Sequence, residues 1–247
     1  MEINKLIYNN MKHLRKYKIF ESNTEIDEIC REYNIINYSI NSDNLVDVDG
    51  NVSLWERKLT SIPLNFNIVN GYFSCHRNKL TSLKGCPIRV NYFFTCVDNK
   101  LTSLRYSPKW MESGSVSCGS NKIKSLKYCI ELIQEEFFCD NNRLTSLQYH
   151  PTVYGTFHCW NNQINTFENF YYFKEDIEFR YNPIWDIYEL FNDMTLIELT
   201  RDYGFEYEGE IDLYKLDVFL KETKHEYVGD LREYFEGKWY KWKFINF

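Results

Sequence analysis

A segment of the form Phe-x-Cys-x-x-Asn-x-Leu-x-x-Leu returns about every 21 residues from Phe73 onward. Its asparagines are Asn78, Asn99, Asn121, Asn142, Asn162 and Asn182, separated by 21, 22, 21, 20 and 20 residues. A fixed short period commits the chain to a stack. One unit cannot bury its apolar face alone, and successive units close a continuous core against each other. An array of this kind usually serves as a binding surface rather than an active site.

Within a unit the strand residues alternate in direction. Phe73 and Cys75 are expected to point into the core, and Tyr72, Ser74 and His76 onto the open face of a parallel sheet. The asparagine three residues after the cysteine is expected to turn inward and bond the backbone of the neighbouring turn, because a buried amide must be satisfied. Leu80 and Leu83, with Leu101 and Leu104 or Leu144 and Leu147 in later units, close the core behind the strand. Pro87, Pro108 and Pro151 suit an extended return on the convex side, where no ladder hydrogen bond is required.

Three parts follow along the chain. Residues 1–50 read as an N-terminal cap, with helical apolar spacing over Met1–Phe20 and Thr24–Tyr33 and short strands at Tyr38–Ile40 and Leu45–Val48. Residues 51–182 hold about seven repeats, the first of them degenerate, as terminal repeats usually are. Residues 183–247 read as a C-terminal helical cap, with helices at Ile184–Phe191, Thr195–Asp202 and Leu213–Thr223. An aromatic tail over Gly237–Phe247 is expected to seal the open end of the core. The fold class is therefore an α/β solenoid: a short-period leucine-rich repeat with a parallel β-sheet on the concave face and helical caps.

The chain has eight cysteines, and five of them (Cys75, Cys96, Cys118, Cys139 and Cys159) share one repeat position. Parallel strands stack such residues in a row about 4.8 Å apart. A straight row cannot wrap a tetrahedral zinc, so it reads as a ladder of buried, reduced thiols in a reducing, cytoplasmic setting. Nothing calls for a metal or other cofactor. There is no apolar run long enough for a transmembrane helix, and the first twenty residues lack the apolar stretch of a secretory signal. Alanine is absent while Asn, Ile, Lys, Tyr and Phe abound, the amino-acid usage of an AT-rich genome.

The run Val69-x-Gly71-Tyr-Phe73-Ser-Cys75-His-Arg-Asn78-Lys-Leu80-Thr-Ser-Leu83-Lys-Gly-Cys-Pro87 resembles leucine-rich-repeat proteins found in bacteriophage and giant-virus genomes. Those proteins also tend to precede the repeats with segments like Asn37–Ile40 and Val46–Val52, so the likeness covers about residues 37–190. It implies a solenoid of short, 20–22-residue repeats and a viral, host-cytoplasmic setting, and it implies no activity. The repeat also looks like that of secreted bacterial effectors that end in a ubiquitin-ligase domain with a catalytic cysteine. No cysteine follows Cys159, so that activity does not carry over.

Other chemistry is set aside on the residues. Asp47, Asp49, Gly50 and Glu56 match four positions of a calcium-binding loop, but its first ligand would be Leu45. Asp176 and Glu178 share a face, about 7 Å apart by strand rise, and read as a solvated pair. No phosphate-binding glycine loop, nucleophile elbow or His-Glu-x-x-His occurs. The expectation is a non-catalytic protein-binding scaffold that engages a host or viral protein through the concave face. Antagonism of a host defence factor is one use of it. Tyr72, Phe93, Phe138 and Trp160 are the candidate anchors. His76, His158, Glu136, Asp140, Glu178 and Arg180 are the polar residues around them.

The alternative is nucleic-acid binding by the repeat array, which carries 15 Lys/Arg against 11 Asp/Glu and exposes aromatic side chains. The small net charge and the acidic caps speak against it.

Overall fold

The computed structural model describes residues 24–166, 169–170, 177–190, 206–207, 210–222, 231–236, 238 and 243–245. The helices expected over Met1–Phe20 and Thr195–Asp202 lie outside the described residues, as do Asp176 and the tail aromatics Trp239, Tyr240, Trp242 and Phe247.

The repeats wind into a parallel β-solenoid with helices towards both ends. Helix α1 (24–32) leads into an antiparallel hairpin of β1 (Tyr38–Ile40) and β2 (Val46–Val48). Each later turn contributes one short strand to a seven-stranded parallel sheet. Its members are β3 (Val52–Ser53), β5 (Phe73–Ser74), β7 (Phe94–Thr95), β9 (Val116–Ser117), β11 (Phe137–Phe138), β13 (Phe157–His158) and β14 (Ile177–Glu178). Registers run straight through: Phe73 pairs with Phe94, Phe94 with Val116, Phe137 with Phe157 and Phe157 with Ile177.

The return segments are more regular than expected. They form further parallel strands, β4 (Phe66–Val69), β6 (Arg89–Val90), β8 (Trp110–Met111), β10 (Leu132–Ile133) and β12 (Thr152–Val153). The first three continue the sheet begun by β1 and β2, and the last two pair with each other. Pro87, Pro108 and Pro151 are buried, and the residues beside them do enter the ladder. Ile88 N donates to Asn67 O at 2.9 Å, Lys109 N to Ile88 O at 2.8 Å and Thr152 N to Glu131 O at 2.8 Å. Proline sits there because only its own position lacks a donor requirement.

Three columns fill the interior between the strands. Phe73, Phe94, Phe137 and Phe157 are at most 1% exposed, the five repeat cysteines are fully buried, and Leu80, Leu101, Ile123 and Leu144 form the third column. Burying each such phenylalanine is worth about 1.5–3 kcal/mol. The cysteines are free thiols. Burial raises the thiols of Cys96, Cys118, Cys139 and Cys159 well above the ordinary range, and a hydrogen bond with Cys86 followed by burial does so for Cys75.

The asparagines form the ladder that the sequence foreshadowed. Asn99 is typical: Nδ2 donates to the carbonyls of Cys75 at 3.0 Å and Cys96 at 3.1 Å, and Oδ1 accepts the Leu80 amide at 2.9 Å. Asn121, Asn142 and Asn162 repeat that pattern, so each amide ties its own turn to the one before. The residue preceding each asparagine (Arg77, Asp98, Ser120, Asn141, Asn161, Tyr181) is left-handed, with φ between 52° and 58°. That kink swings the asparagine inward.

At the far end, α2 (Pro183–Tyr188) closes the stack with buried Ile184 and Ile187. Beyond it come β15 (Glu206–Tyr207), β16 (Glu210–Asp212), α3 (Leu213–Glu222), α4 (Leu231–Glu236) and β17 (Lys243–Ile245), with β17 parallel to β16. Among the described residues no helix is long and apolar enough to cross a membrane.

Candidate functional site

The outward row of the seven-stranded sheet runs Ser53, Ser74, Thr95, Ser117, Phe138, His158 and Glu178. Its chemistry changes abruptly between Ser117 and Phe138. The first four side chains are short hydroxyls, and Ser74 and Thr95 are buried rather than displayed, at 6% exposure each. Larger neighbours at the flanking positions close over them: Ser74 Oγ lies 2.8 Å from His76 Nδ1.

The ten residues singled out in the sequence therefore fall into two groups. Tyr72, His76 and Phe93 belong to the N-terminal turns. Tyr72 and Phe93 are exposed, and the half-buried His76 ring stacks on Trp55 at 5.6 Å with 18° between planes. Burial, followed by the Arg77 charge, lowers the His76 pKa below the ordinary imidazole value. Trp55 lies in the degenerate first unit, where the repeat pattern gives no hint of it.

The C-terminal group is denser. Phe138 stacks face to face on His158, ring centroids 4.4 Å apart and planes within 6°. His158 Nδ1 lies 2.8 Å from Glu178 Oε2, and Nε2 lies 3.8 Å from Glu136 Oε1. Among the described residues the buried Nε2 has no hydrogen-bond partner. Asp140 and Trp160 are half-buried two residues further along their turns than Phe138 and His158, and Glu136, Glu178 and Arg180 are exposed. Two strands, β7 and β9, separate β5 from β11, which puts the groups about 14 Å apart.

Beside the C-terminal group lies a cavity of about 290 Å³ lined by Trp160, Phe179, Arg180, Tyr181, Trp185 and Tyr188. Trp185 and Tyr188 come from α2, one helical turn apart, and their rings each lie 5.2 Å from Phe179. Arg180 reaches back over Trp185 at 5.8 Å. The i, i+3 spacing in Ile184–Phe191 signalled the helix, but only the structure shows that its aromatic residues pack on Phe179 and line this cavity with Trp160 and Arg180.

Among the described residues no cluster of His, Cys, Asp and Glu could hold a metal ion. Asp47, one of the residues that mimic a calcium loop, is engaged internally: its Oδ1 accepts Asn67 Nδ2 at 2.8 Å and the Ile68 amide at 3.1 Å.

No family model matches this chain, and comparison with curated proteins and with solved structures likewise finds no match.

Proposed function

We propose that this protein is a non-catalytic interaction scaffold that takes a protein partner on the C-terminal half of its open sheet face. The observation that carries this reading is the switch of the outward row from short hydroxyls to Phe138, His158 and Glu178, immediately beside the aromatic cavity. Half-buried aromatics ringed by charge are the usual composition of a binding hot spot. A cavity of about 290 Å³ is small for a metabolite site and suits one anchoring side chain. Glu136, Asp140 and Glu178 outnumber the single Arg180, so the fitting partner brings a cationic segment with an apolar anchor.

The same reading extends to family and setting. The repeat motif resembles the leucine-rich repeats of bacteriophage and giant-virus proteins, and its buried free thiols suit the cytoplasm of a host cell. Antagonism of a host factor is the role that such a surface would serve there.

The test is affinity capture from nuclease-treated bacterial lysate, comparing wild type with the Phe138→Ala, Trp160→Ala double variant, followed by mass spectrometry. A protein held by wild type, released by salt and lost by the folded double variant supports the reading. A set of captured proteins identical for both forms sinks it.

A further inference from the structure

A second surface lies on the other side of the asparagine ladder. In the four consecutive segments 78–85, 99–106, 121–128 and 142–149 the chain holds eight Lys/Arg and no Asp/Glu. Backbone bonds carry one turn onto the next: Lys100 N donates to Leu80 O at 2.9 Å, Lys122 N to Leu101 O at 2.8 Å and Arg143 N to Ile123 O at 2.9 Å. Lys79, Lys100, Lys122 and Arg143 therefore form one exposed column, with neighbours about 4.8 Å apart. Among the described residues none of the four has an ion-pair partner. Like charges held in register repel one another, and a linear polyanion would relieve that repulsion.

A column of rings follows the charges, six residues further along each of three turns. Tyr106, Tyr128 and Tyr149 are exposed, and all three are left-handed, with φ of 72°, 74° and 65°. The turn before them meets the same backbone requirement with Gly85, at φ 99°. A bulky residue at such a position is an outlier, and three in succession retain a strain that glycine would remove. Cations flank the rings: the Arg105 guanidinium lies 5.0 Å from the Tyr106 centroid, and Lys127 Nζ lies 5.3 Å from Tyr128 and 6.0 Å from Tyr149. An open cleft of about 660 Å³ is lined by Lys109, Lys127, Tyr128 and Tyr149, with the one carboxylate Glu131 among its lining residues.

We infer that this strip binds single-stranded nucleic acid, with phosphates along the cation column and bases against the tyrosines. Phosphate charge repeats along a line, as the cations do. Aromatic faces accept any unpaired base, whereas a duplex keeps its base faces stacked and out of reach. An acidic peptide would satisfy the cations and leave the rings unused. An anionic membrane would need apolar side chains where this strip has Thr81, Ser82, Thr102 and Ser103. Four turns span about 14 Å, a footprint of only a few nucleotides. The strip is separate from the sheet face proposed for a protein partner, so either surface can fail its test without the other.

The experiment is fluorescence anisotropy of a labelled oligothymidylate with the full chain at low salt, with duplex of the same length, polyglutamate and phosphatidylserine vesicles as competitors. The expected result is binding whose logarithm falls with log salt at a slope near −3, about −0.7 for each of four phosphates. The Tyr106→Gly, Tyr128→Gly, Tyr149→Gly variant is expected to bind at least tenfold more weakly while melting normally, since glycine suits all three backbone positions. Lys100→Glu with Lys122→Glu is expected to flatten the salt slope. No binding at low salt, binding unchanged in both variants, or equal competition by duplex, polyglutamate or vesicles would overturn the inference.

Discussion

Asn121 Oδ1 accepts the amide of Leu101 at 3.0 Å, joining two residues that lie 20 positions apart in the chain. The same side chain donates to the carbonyls of Cys96 and Cys118 at 3.0 and 3.1 Å. One buried amide thus satisfies polar groups on two successive turns, and no water is needed to finish the work.

Asn121→Ala is expected to cost about 3 kcal/mol or more, because it strands several buried backbone groups at once. Asn121→Asp should cost at least as much at neutral pH, since it keeps the acceptor but loses the donor and buries a charge. Urea denaturation followed by far-ultraviolet circular dichroism measures both. A loss below about 1 kcal/mol for the alanine variant would mean that the ladder contributes little to stability.

The left-handed tyrosines predict opposite outcomes for two substitutions at one site. Tyr128→Gly should leave the melting temperature unchanged or slightly raised, because glycine adopts φ 74° without steric cost. Tyr128→Val should lower stability by about 1–2 kcal/mol, because a β-branched residue tolerates that region worst. The reciprocal change, Gly85→Ala, should be destabilising as well, for a Cβ there would meet Leu64 O at 2.5 Å.

The thiol column makes the fold sensitive to alkali. Folding holds these thiols protonated: burial pushes Cys129 up to about 12, and burial followed by the Asp27 charge pushes Cys30 up to about 11, from 9.0. The repeat cysteines move the same way. Above the ordinary thiol pKa the unfolded chain therefore binds fewer protons than the folded one, so stability falls as pH rises. The thiol contribution should be level below pH 9 and decline from there to about 12, with Tyr38 adding to the loss because its bond to Asp27 raises it to about 12. Urea midpoints measured across that range check the direction. Cys118→Val should make the decline shallower by about one proton's worth.

Phe138→Ala with Trp160→Ala should lower the melting temperature by only a few degrees. Both side chains are half-buried on the open face, and the core rings Phe137 and Phe157 beneath them keep their edge-to-face contact at 5.1 Å. Differential scanning calorimetry tests this, and a collapse of folding would show that the two rings belong to the core.

The periodic sequence disclosed the inward columns because Phe, Cys, Asn and Leu are each the residue that a buried stack needs at its place. Other features were hidden for physical reasons. The left-handed position before each asparagine is occupied by Arg77, Asp98, Ser120, Asn141, Asn161 and Tyr181, and a requirement met by so many side chains leaves no pattern. The return strands were obscured because they are two to four residues long and four of the five, β10 excepted, follow a proline, which reads locally as an irregular return. The candidate sheet site was legible as a list of outward residues. Its division into two groups was not, since the burial of Ser74 and Thr95 depends on what their neighbours cover.

Turn length varies without disturbing any of this. Val90 pairs with Met111 and Phe94 with Val116, yet four positions separate Val90 from Phe94 and five separate Met111 from Val116. The additional residue is absorbed at the corner between the sheets, where Gly114 takes φ 84°. Corners thus act as expansion joints in a lattice whose two walls stay fixed. A lineage can lengthen or shorten the chain there one residue at a time, or add a whole coil, and every existing side chain keeps its address.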